Sequence, residues 1–300
     1  MRISTHTLFE SGAARLSELQ SDMVKTQQQI STGRRVLTPA DDPVAAARAL
    51  EVTQSQSMNS QYGVNRDYAK SSLAAVEGSL TGVTELLQDV KTTIVAAGNA
   101  TLGDMERGYM ATELRGRFEQ LLGMANSRDG QGNYLFSGFQ TATPAFSKDA
   151  SNNVTYDGDA GQRLMQVDTT RQLAVSHSGQ AIFQGGGQDV FKALNDLIAV
   201  LETPGTAGLT AGLETANGKI DLALDNVLTV RASVGSRLQE IDALDSAGED
   251  RHIQYSEILS GLQDLDYTQA LTELSKQQLT LEAAQKSFVK ASGLSLFNFI

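Results

Sequence analysis

Apolar residues recur every seven positions near the start of the chain. Within residues 4–37 these positions are Phe9, Leu16, Met23, Ile30 and Leu37. The second set of positions on the same face is Gly12, Leu19, Thr26 and Gly33, and only one of these is large and apolar. A seven-residue apolar period predicts a helix that packs against a partner helix. The stripe is narrow, so this helix would be marginal on its own.

A regular alternation of three and four residues predicts longer helices after residue 42. The apolar positions are Leu73, Val76, Leu80, Val83, Leu87, Val90, Ile94 and Ala97. Asp42 and Pro43 predict the start of this helix, because aspartate is a preferred N-cap and proline a preferred first helical residue. Residues 98–104 interrupt the pattern, which resumes from Met110 to Ala125. We therefore expect an antiparallel helical pair over residues 43–127.

The period changes between residues 129 and 187. Short apolar runs separated by turn residues are typical of small antiparallel strands. The runs are LMQVD at 164–168 and LAVSHSGQAIF at 173–183, together with the polar stretch that begins at Asn152. Asp157-Gly158 is a candidate tight turn. This stretch predicts a β-rich insertion.

Helical periodicity returns at Val190 and extends, with one pause at 203–208, to the end of the chain. In the last segment, Leu274, Leu281 and Phe288 repeat by seven, with Leu271 one turn earlier. We expect one continuous helix over 258–292, about 50 Å long at 1.5 Å per residue.

The predicted fold is mainly α, an elongated helical bundle with heptad helices at its N- and C-terminal ends and a small β-rich insertion. Three domains are expected: a terminal domain of residues 1–42 and 252–300, a helical bundle of 43–128 and 188–251, and the insertion, 129–187.

Composition removes several functional classes. The chain has 300 residues, with 24 Lys+Arg against 35 Asp+Glu and a net charge of −11. An acidic chain without a basic cluster argues against nucleic-acid binding. The absence of cysteine excludes disulfides, thiolate metal sites and cysteine nucleophiles. No segment predicts a membrane span, and the N-terminus lacks the apolar core of a signal peptide, so any export is expected to proceed without a cleaved leader.

Catalytic, cofactor and metal motifs are also missing. His6, His177 and His252 lie in three different segments without ligand spacing. The SxxK match at 287–290 lacks the accompanying motifs of serine acyl-enzymes. The acidic pair Asp41-Asp42 does not follow the calcium-loop spacing and is explained by turn formation and capping. We predict no enzyme activity, no catalytic residues, no cofactor and no metal.

Two interpretations of the heptad ends follow from the residues alone. Residues 4–37 and 258–292 could pair within one chain and close an ordinary bundle. Alternatively, they complete their cores only against other copies or relatives, since a head-to-tail contact that does not close on itself generates a tube.

Several motifs resemble the bacterial flagellin-like family. The segment QQISTGRRVLTPADDPVAAARAL at 28–50 is similar to the family's N-terminal signature. Its DDP is typical of the hook–filament junction branch, whereas flagellin usually has DDA. The stretch 126–146, with NYLFSG, is similar to a junction-protein segment, and 230–242 and 281–300 match the family's C-terminal regions.

The resemblance implies that the N- and C-terminal heptad helices pair as a coiled coil, so that the terminal domain serves assembly, and that the β-rich insertion lies on the surface. It further implies a structural adaptor of the flagellum that joins hook to filament, with flagellin itself as the alternative. It also implies type III export, a location at the hook–filament junction outside the cell, and four partners: hook-associated protein 1, flagellin, copies of the chain in a ring or tube, and an export chaperone. The residues expected to assemble are Phe9, Leu16, Leu19, Met23, Ile30, Leu37, Leu271, Leu274, Leu281 and Phe288. We expect the ends to be disordered in the free chain and to fold on assembly, because a half-empty stripe does not offset the entropy of ordering them.

Overall fold

A computed structural model of the chain describes residues 2–99 and 101–297, with side chains described for residues 6, 7, 9–99 and 101–290. The helices are α1 (Arg2–Thr32), α2 (Pro43–Ala97), α3 (Asp104–Ala125), α4 (Gly179–Phe183), α5 (Val190–Glu202), α6 (Leu209–Gln263) and α7 (Tyr267–Phe297). The strands are β1 (Phe146–Lys148), β2 (Val154–Tyr156), β3 (Leu164–Asp168) and β4 (Arg171–Ala174). The predicted mainly α fold with a small β insertion is confirmed.

Helix α2 begins as the sequence predicts. The Asp42 carboxylate accepts a hydrogen bond from the Ala45 backbone N–H at 2.9 Å, and Pro43 is the first helical residue. The predicted apolar stripe of α2, from Leu73 to Ala97, is buried throughout, with no member more than 5% exposed. Each fully buried leucine contributes about 1.5–3 kcal/mol. The core of the fold is therefore built on this stripe.

Contacts of α2 with α3 confirm the predicted antiparallel pair. The Ser79 hydroxyl donates to the Met124 carbonyl at 3.3 Å, and Asp89 pairs with Arg117 at 2.7 Å. Residue numbers thus rise on one helix as they fall on the other. Helix α2 ends at Ala97 and α3 begins at Asp104, close to the predicted interruption.

Helix α6 also lies antiparallel to α2 and is held by ion pairs. Lys70 pairs with Asp242 at 2.6 Å, and Lys91 pairs with Asp221 at 2.5 Å. Between them, the Arg231 guanidinium donates twice to one oxygen of Glu77, at 2.7 and 3.0 Å. These pairs fix the register of the two helices along the unit that contains them.

The insertion consists of two separate antiparallel hairpins, β1–β2 and β3–β4. Asp149 closes the first turn by accepting the backbone N–H groups of Ser151 and Asn153 at 2.7 and 2.8 Å. The Asp157-Gly158 turn prediction is wrong in one respect, because this pair follows β2 and joins no paired strands.

The last part of the run at 173–183 is also different from the prediction. Residues 179–183 form the short helix α4 instead of a strand. The Asn226 side-chain amide on α6 donates to the carbonyls of Ala181 and Ile182 at 2.8 and 2.7 Å, which stabilises the helical turn. A tertiary contact therefore decides the structure of this segment.

Aromatic rings join the insertion to the helices. Phe146 of β1 lies 5.5 Å from Phe183 of α4 and 5.2 Å from Phe191 of α5, measured between ring centroids. Phe191 in turn meets Phe118 of α3 edge-on at 6.0 Å. Edge-on and tilted contacts at these distances are favourable for aromatic pairs. The small hairpins are thereby anchored to the helical core.

The chain divides into two compact units. The first comprises Met1–Met58 and Asp250–Ile300, and the second comprises Asn59–Glu249. The division into three domains made from the sequence stays a prediction. Length and hydropathy together disqualify each described helix as a membrane span.

The expectation of one helix over 258–292 is wrong. Helix α6 ends at Gln263 and α7 begins at Tyr267. Between them, the Leu265 N–H donates to the Gly33 carbonyl at 3.0 Å, so a distant segment takes a backbone group that a helix would use. Asp266 then caps α7 by accepting from the Gln269 N–H at 3.1 Å.

Candidate subunit-assembly surface

The first unit is built on an antiparallel pair of helices, α1 and α7. The rings of Phe9 and Phe288 are 5.1 Å apart near one end of the pair. At the other end, Arg34 and Asp264 form an antiparallel backbone bridge. The start of α1 therefore lies beside the end of α7. The predicted pairing of the terminal heptad helices is observed within this one chain.

Three hydrogen bonds join the segment that follows α1 to the α6–α7 corner. The Arg35 N–H donates to the Gln263 carbonyl at 2.7 Å, and its guanidinium donates to the Leu262 carbonyl at 2.9 Å. The Leu265 N–H to Gly33 bond described above completes the set. These bonds fix the C-terminal end of α1 next to the N-terminal end of α7.

The two aspartates of the DDP motif have different tasks. Asp41 accepts hydrogen bonds from the backbone N–H groups of Leu37 and Thr38 at 3.1 and 2.8 Å and pairs with Lys25 of α1 at 2.6 Å. The hydrogen bond from Lys25, followed by that from Thr38, lowers the pKa of Asp41 to about 2. The pKa of Asp42 is also lowered, chiefly by its bond to the Ala45 N–H. The signature segment is thus an ordered turn between α1 and α2.

The predicted seam of α1 is confirmed as the face with reduced exposure. Leu16, Leu19, Met23 and Ile30 are half-buried. Phe9, at the end of the series, is 54% exposed even though it contacts Phe288. Leu37 lies outside α1, because the helix ends at Thr32 and Gly33 adopts φ +70°. The placement of Leu37 in the helical seam was therefore wrong.

On α7, Leu281 is buried and Leu274 and Phe288 are half-buried, as expected for seam positions. Leu271 is 52% exposed, because Ala270 takes the seam position at this level and is 7% exposed. The placement of Leu271 in the seam was wrong. The assembly role of the ten predicted residues stays a prediction.

Sequence reasoning missed the small members of the seam on α7, Ala270 and Ala284. Together with Gln277, which interrupts the apolar series in the sequence itself, they alternate with Leu274, Leu281 and Phe288 at spacings of three and four. The spacing itself could have revealed them, since the second set of heptad positions on α7 falls on these residues. The cap sequence Asp266-x-x-Gln269 likewise marks the start of the helix.

The pair buries little compared with the second unit. Among the described residues of the first unit, the buried ones are Thr26, Ala45, Ala49, Ala270 and Leu281. Only Leu281 is a large apolar side chain. The structure pairs the two ends with each other, and their disorder in the free chain stays a prediction.

Large apolar side chains remain exposed on all four helical segments of the first unit. They are Phe9, Val24, Val44, Leu50, Met58, Ile253, Ile258, Tyr267, Leu271, Leu279 and Val289, each at least 45% exposed. Leu50 and Leu279 are the most exposed, at 71% and 70%. Exposed apolar side chains mark a surface that contacts another protein where they lie together in one patch.

Charge is distributed unevenly between the units. The first unit has 10 Lys+Arg against 12 Asp+Glu, a net charge of −2. The second has 14 against 23, a net charge of −9. A net charge near zero reduces the repulsion between copies. Among the described residues, the first unit has eleven exposed large apolar side chains and the second, larger unit has nine. The unit with the higher density of such side chains is therefore also the one that opposes association least.

The histidines are placed in unrelated surroundings. His6 lies 3.4 Å from Glu10 on an exposed face of α1, and His252 lies 3.3 Å from the Gln56 amide nitrogen. His177 belongs to the second unit and is buried. Within the part of the chain that the structure describes, no three His, Asp or Glu side chains gather as metal ligands do.

Comparison with known proteins identifies the family of the chain. Residues 3–141 match the model of the bacterial flagellin N-terminal helical region. Flagellar hook-associated protein 3 of Escherichia coli is 36% identical over 99% of both chains, and that of Salmonella typhimurium is 35% identical over the same shares. The chain belongs to the flagellar hook-associated protein 3 family.

Other relatives place this family beside flagellin. A flagellin of Bacillus subtilis is 26% identical over 97% of this chain and 96% of its own. The solved structure of a flagellar hook-associated protein from Vibrio parahaemolyticus aligns with a TM-score of 0.69 at 27% identity, and covers 75% of this chain and all of that one. The family resemblance stated from the motifs is confirmed.

Proposed function

We propose that the chain is a structural adaptor that joins hook to filament in the bacterial flagellum and acts by packing against neighbouring subunits. The observation on which this rests is the first unit, whose four helical segments leave eleven large apolar side chains exposed. Full-length similarity to two hook-associated proteins 3 supports the same role. No catalytic step is part of the proposal.

Packing against neighbours supplies the energy of assembly. Covering one exposed leucine-sized side chain contributes about 1.5–3 kcal/mol. Association costs several kcal/mol in lost freedom of motion, so several such side chains must be covered together. Eleven are available in the first unit. Its net charge of −2 adds little repulsion.

The residues of the first unit divide into two roles. Leu16, Leu19, Met23, Ile30, Leu274, Leu281 and Phe288 hold α1 and α7 together within the chain. Leu50, Leu279 and their exposed neighbours contact other subunits, and Leu271 belongs to this outer group. Phe9, which is both in contact with Phe288 and half-exposed, contributes to both roles.

The partners follow from the adaptor role. Hook-associated protein 1 would lie on the hook side and flagellin on the filament side, with copies of the chain between them in a ring or tube. Before assembly, an export chaperone would cover the C-terminal helix. Delivery would use the flagellar type III pathway without a cleaved signal peptide, and the chain would act outside the cell at the junction.

A strain that lacks the chain tests the proposal. Electron microscopy is expected to show hooks without filaments, and flagellin is expected in the culture medium. Complementation with the Leu50→Gln, Leu279→Gln double variant should not restore filaments, because both side chains lie on the outer surface of the first unit. Glutamine is nearly as good a helix former as leucine, so folding is preserved.

The matched control is Leu222→Gln in the second unit, where the leucine is 51% exposed on α6. This variant should restore filaments fully. Normal filaments in the deletion strain, or full rescue by the double variant, would contradict the proposal.

Flagellin is the second candidate function, favoured by the full-length similarity to the Bacillus subtilis protein. A filament subunit polymerises alone into long filaments. We expect the purified chain to form at most short assemblies when seeded with sheared filaments. Long filaments made of this chain alone would favour flagellin.

A further inference from the structure

Two glycines of α1 and the segment after it face two aromatic side chains of α7. A Cβ atom added at Gly12 would lie 2.7 Å from two ring atoms of Phe288. A Cβ atom added at Gly33 would lie 2.9 Å from the Tyr267 hydroxyl. Distances below 3.0 Å are too short for carbon contacts, so any larger residue would displace the aromatic side chain. Each glycine thus provides the space that one aromatic side chain fills.

The two contacts have the same spacing on both partners. Gly12 and Gly33 are three heptads apart, and so are Tyr267 and Phe288. In an antiparallel pair, one register alone places both aromatic residues over both glycines. The same register brings Met23 level with Gln277 and Leu19 level with Leu281.

The apolar series alone does not choose this register. A slip by one heptad keeps seam positions facing seam positions, because the series repeats every seven residues. That slip would place Phe288 opposite Leu19 in one direction and Tyr267 opposite Thr26 in the other. Leu19 and Thr26 carry side chains that would occupy the space that Gly12 and Gly33 leave for the aromatic residues.

The middle of the seam weakens the pair. The side-chain oxygen of Gln277 is buried and has no hydrogen-bond partner among the described residues. A polar residue in a coiled-coil seam reduces stability, and a buried acceptor without a partner is costly. The seam is therefore defined at its ends and weak at its centre.

We propose that the Gly12–Phe288 and Gly33–Tyr267 contacts select the register in which α1 and α7 pair. This inference deepens the proposed adaptor function, on which it rests, because the register decides which apolar side chains of the two helices lie together on the outer surface. Neighbouring copies then meet the same surface on every subunit. The weak centre allows the pair to separate and form again without losing this register.

Spin-label distances in the purified full-length chain test the proposal. The chain has no cysteine, so Ser17→Cys and Ala283→Cys, both exposed and level with each other, give one defined label pair. Measurements are made with increasing trimethylamine oxide, an osmolyte that strengthens burial and so favours pairing. One narrow distance distribution is expected at high osmolyte. A distribution that stays broad there would overturn the proposal.

Gly12→Leu is the decisive variant. It should give a second population in which the two labels are offset by about 10 Å along the helix axis, the length of one heptad, and therefore lie farther apart. Leucine is the better helix former, so a gain in helix propensity cannot explain a loss of register. Ala13→Leu adds the same side chain at the neighbouring exposed position and should leave the distribution unchanged. A single unshifted distance in Gly12→Leu would refute the proposal.

Phe288→Ala supplies a second variant that introduces no steric conflict. It removes the ring that packs against Gly12, and it should also broaden the distribution of label distances, because more than one register becomes possible. Because these distances are measured without any flagellar partner, the register mechanism can fail while the adaptor role stands, and a failed complementation would not affect the distances.

Discussion

Single residues at the DDP turn have effects that their chemistry explains. Asp42 supplies the N-cap of α2, and Pro43 fits the first helical position without losing a hydrogen bond, as predicted from the sequence. The tie between Asp41 and Lys25 could not be predicted, because it depends on how the turn folds back toward α1. The cap formed by Asp42 and Pro43 could therefore be predicted from the sequence, and the ion pair between Asp41 and Lys25 could not.

Asp42→Ala should destabilise the start of α2. Loss of an N-cap costs about 0.5–2 kcal/mol. Amide hydrogen exchange at residues 44–46 is expected to accelerate by a factor of roughly 2 to 30. Glu51→Ala, which removes an exposed carboxylate farther along α2, is the control and should leave these amides unchanged. Equal exchange in both variants would contradict the capping role.

His177 makes the second unit sensitive to acid. Its ring nitrogen Nε2 lies 2.9 Å from the Arg237 guanidinium. Burial, followed by the charge of Arg237, lowers the pKa of His177 from 6.5 to about 4. The unfolded chain therefore binds more protons than the folded chain between these values, and stability is lost as the pH falls from about 6.5 to about 4.

His177→Gln should remove this part of the pH dependence, because glutamine stays neutral and still accepts from Arg237. The contribution is at most about 3 kcal/mol. Urea unfolding at pH 7 and pH 4.5 measures it. The wild-type chain should lose more stability between these pH values than the variant, and equal losses would show that His177 does not titrate in this range.

At the level of elements, periodicity predicted the helices and tertiary contacts decided where they end. The α2 stripe from Leu73 to Ala97 was readable because every third or fourth residue is apolar and buried. The break at 264–266 contains neither proline nor glycine, so the cap sequence that begins at Asp266 was its main signal in the sequence. Helix α6 ends here because the Leu265 N–H donates to the Gly33 carbonyl instead of to a carbonyl of its own helix. Asp266 then caps the start of α7.

The candidate site was only partly predictable for a related reason. A heptad pattern identifies the face that a helix turns to its principal partner, and this gave Leu16, Met23 and Leu281 correctly. Side chains on other faces have no such regularity. Leu50 and Leu279 therefore became visible as candidates only when the structure left them exposed.

Leu281→Ala and Leu279→Ala should separate the seam from the outer surface. Leu281 is buried between α1 and α7, so its truncation should cost about 2–5 kcal/mol. Leu279 is 70% exposed, and its truncation should change stability by less than about 0.5 kcal/mol. Hydrogen exchange of α1 and α7 in trimethylamine oxide measures both. Comparable exchange in the two variants would contradict the assigned positions.

The two units of the molecule differ in how completely they are packed. The second unit has a continuous apolar core, including Leu80, Leu87 and Phe136, all without measurable exposure. In the first unit, Leu281 is the one large apolar side chain among the described residues that is buried. Stability is therefore expected to be concentrated in residues 59–249.

Limited proteolysis of the purified chain measures this difference. Without osmolyte, cleavage should begin within residues 1–58 and 250–300, and a fragment close to 59–249 should persist. Assembly or an osmolyte should protect the ends. Ends that resist cleavage as well as the second unit does would contradict the prediction that they fold on assembly.

The uneven charge of the two units has a consequence for the surroundings in which the chain works. The second units of neighbouring copies each carry a net charge of −9 and therefore repel one another. The range of this repulsion depends on the salt concentration: it is about 30 Å at 0.01 M and 8 Å at 0.15 M. Low salt is therefore expected to keep neighbouring copies apart, and higher salt should allow them to pack more closely.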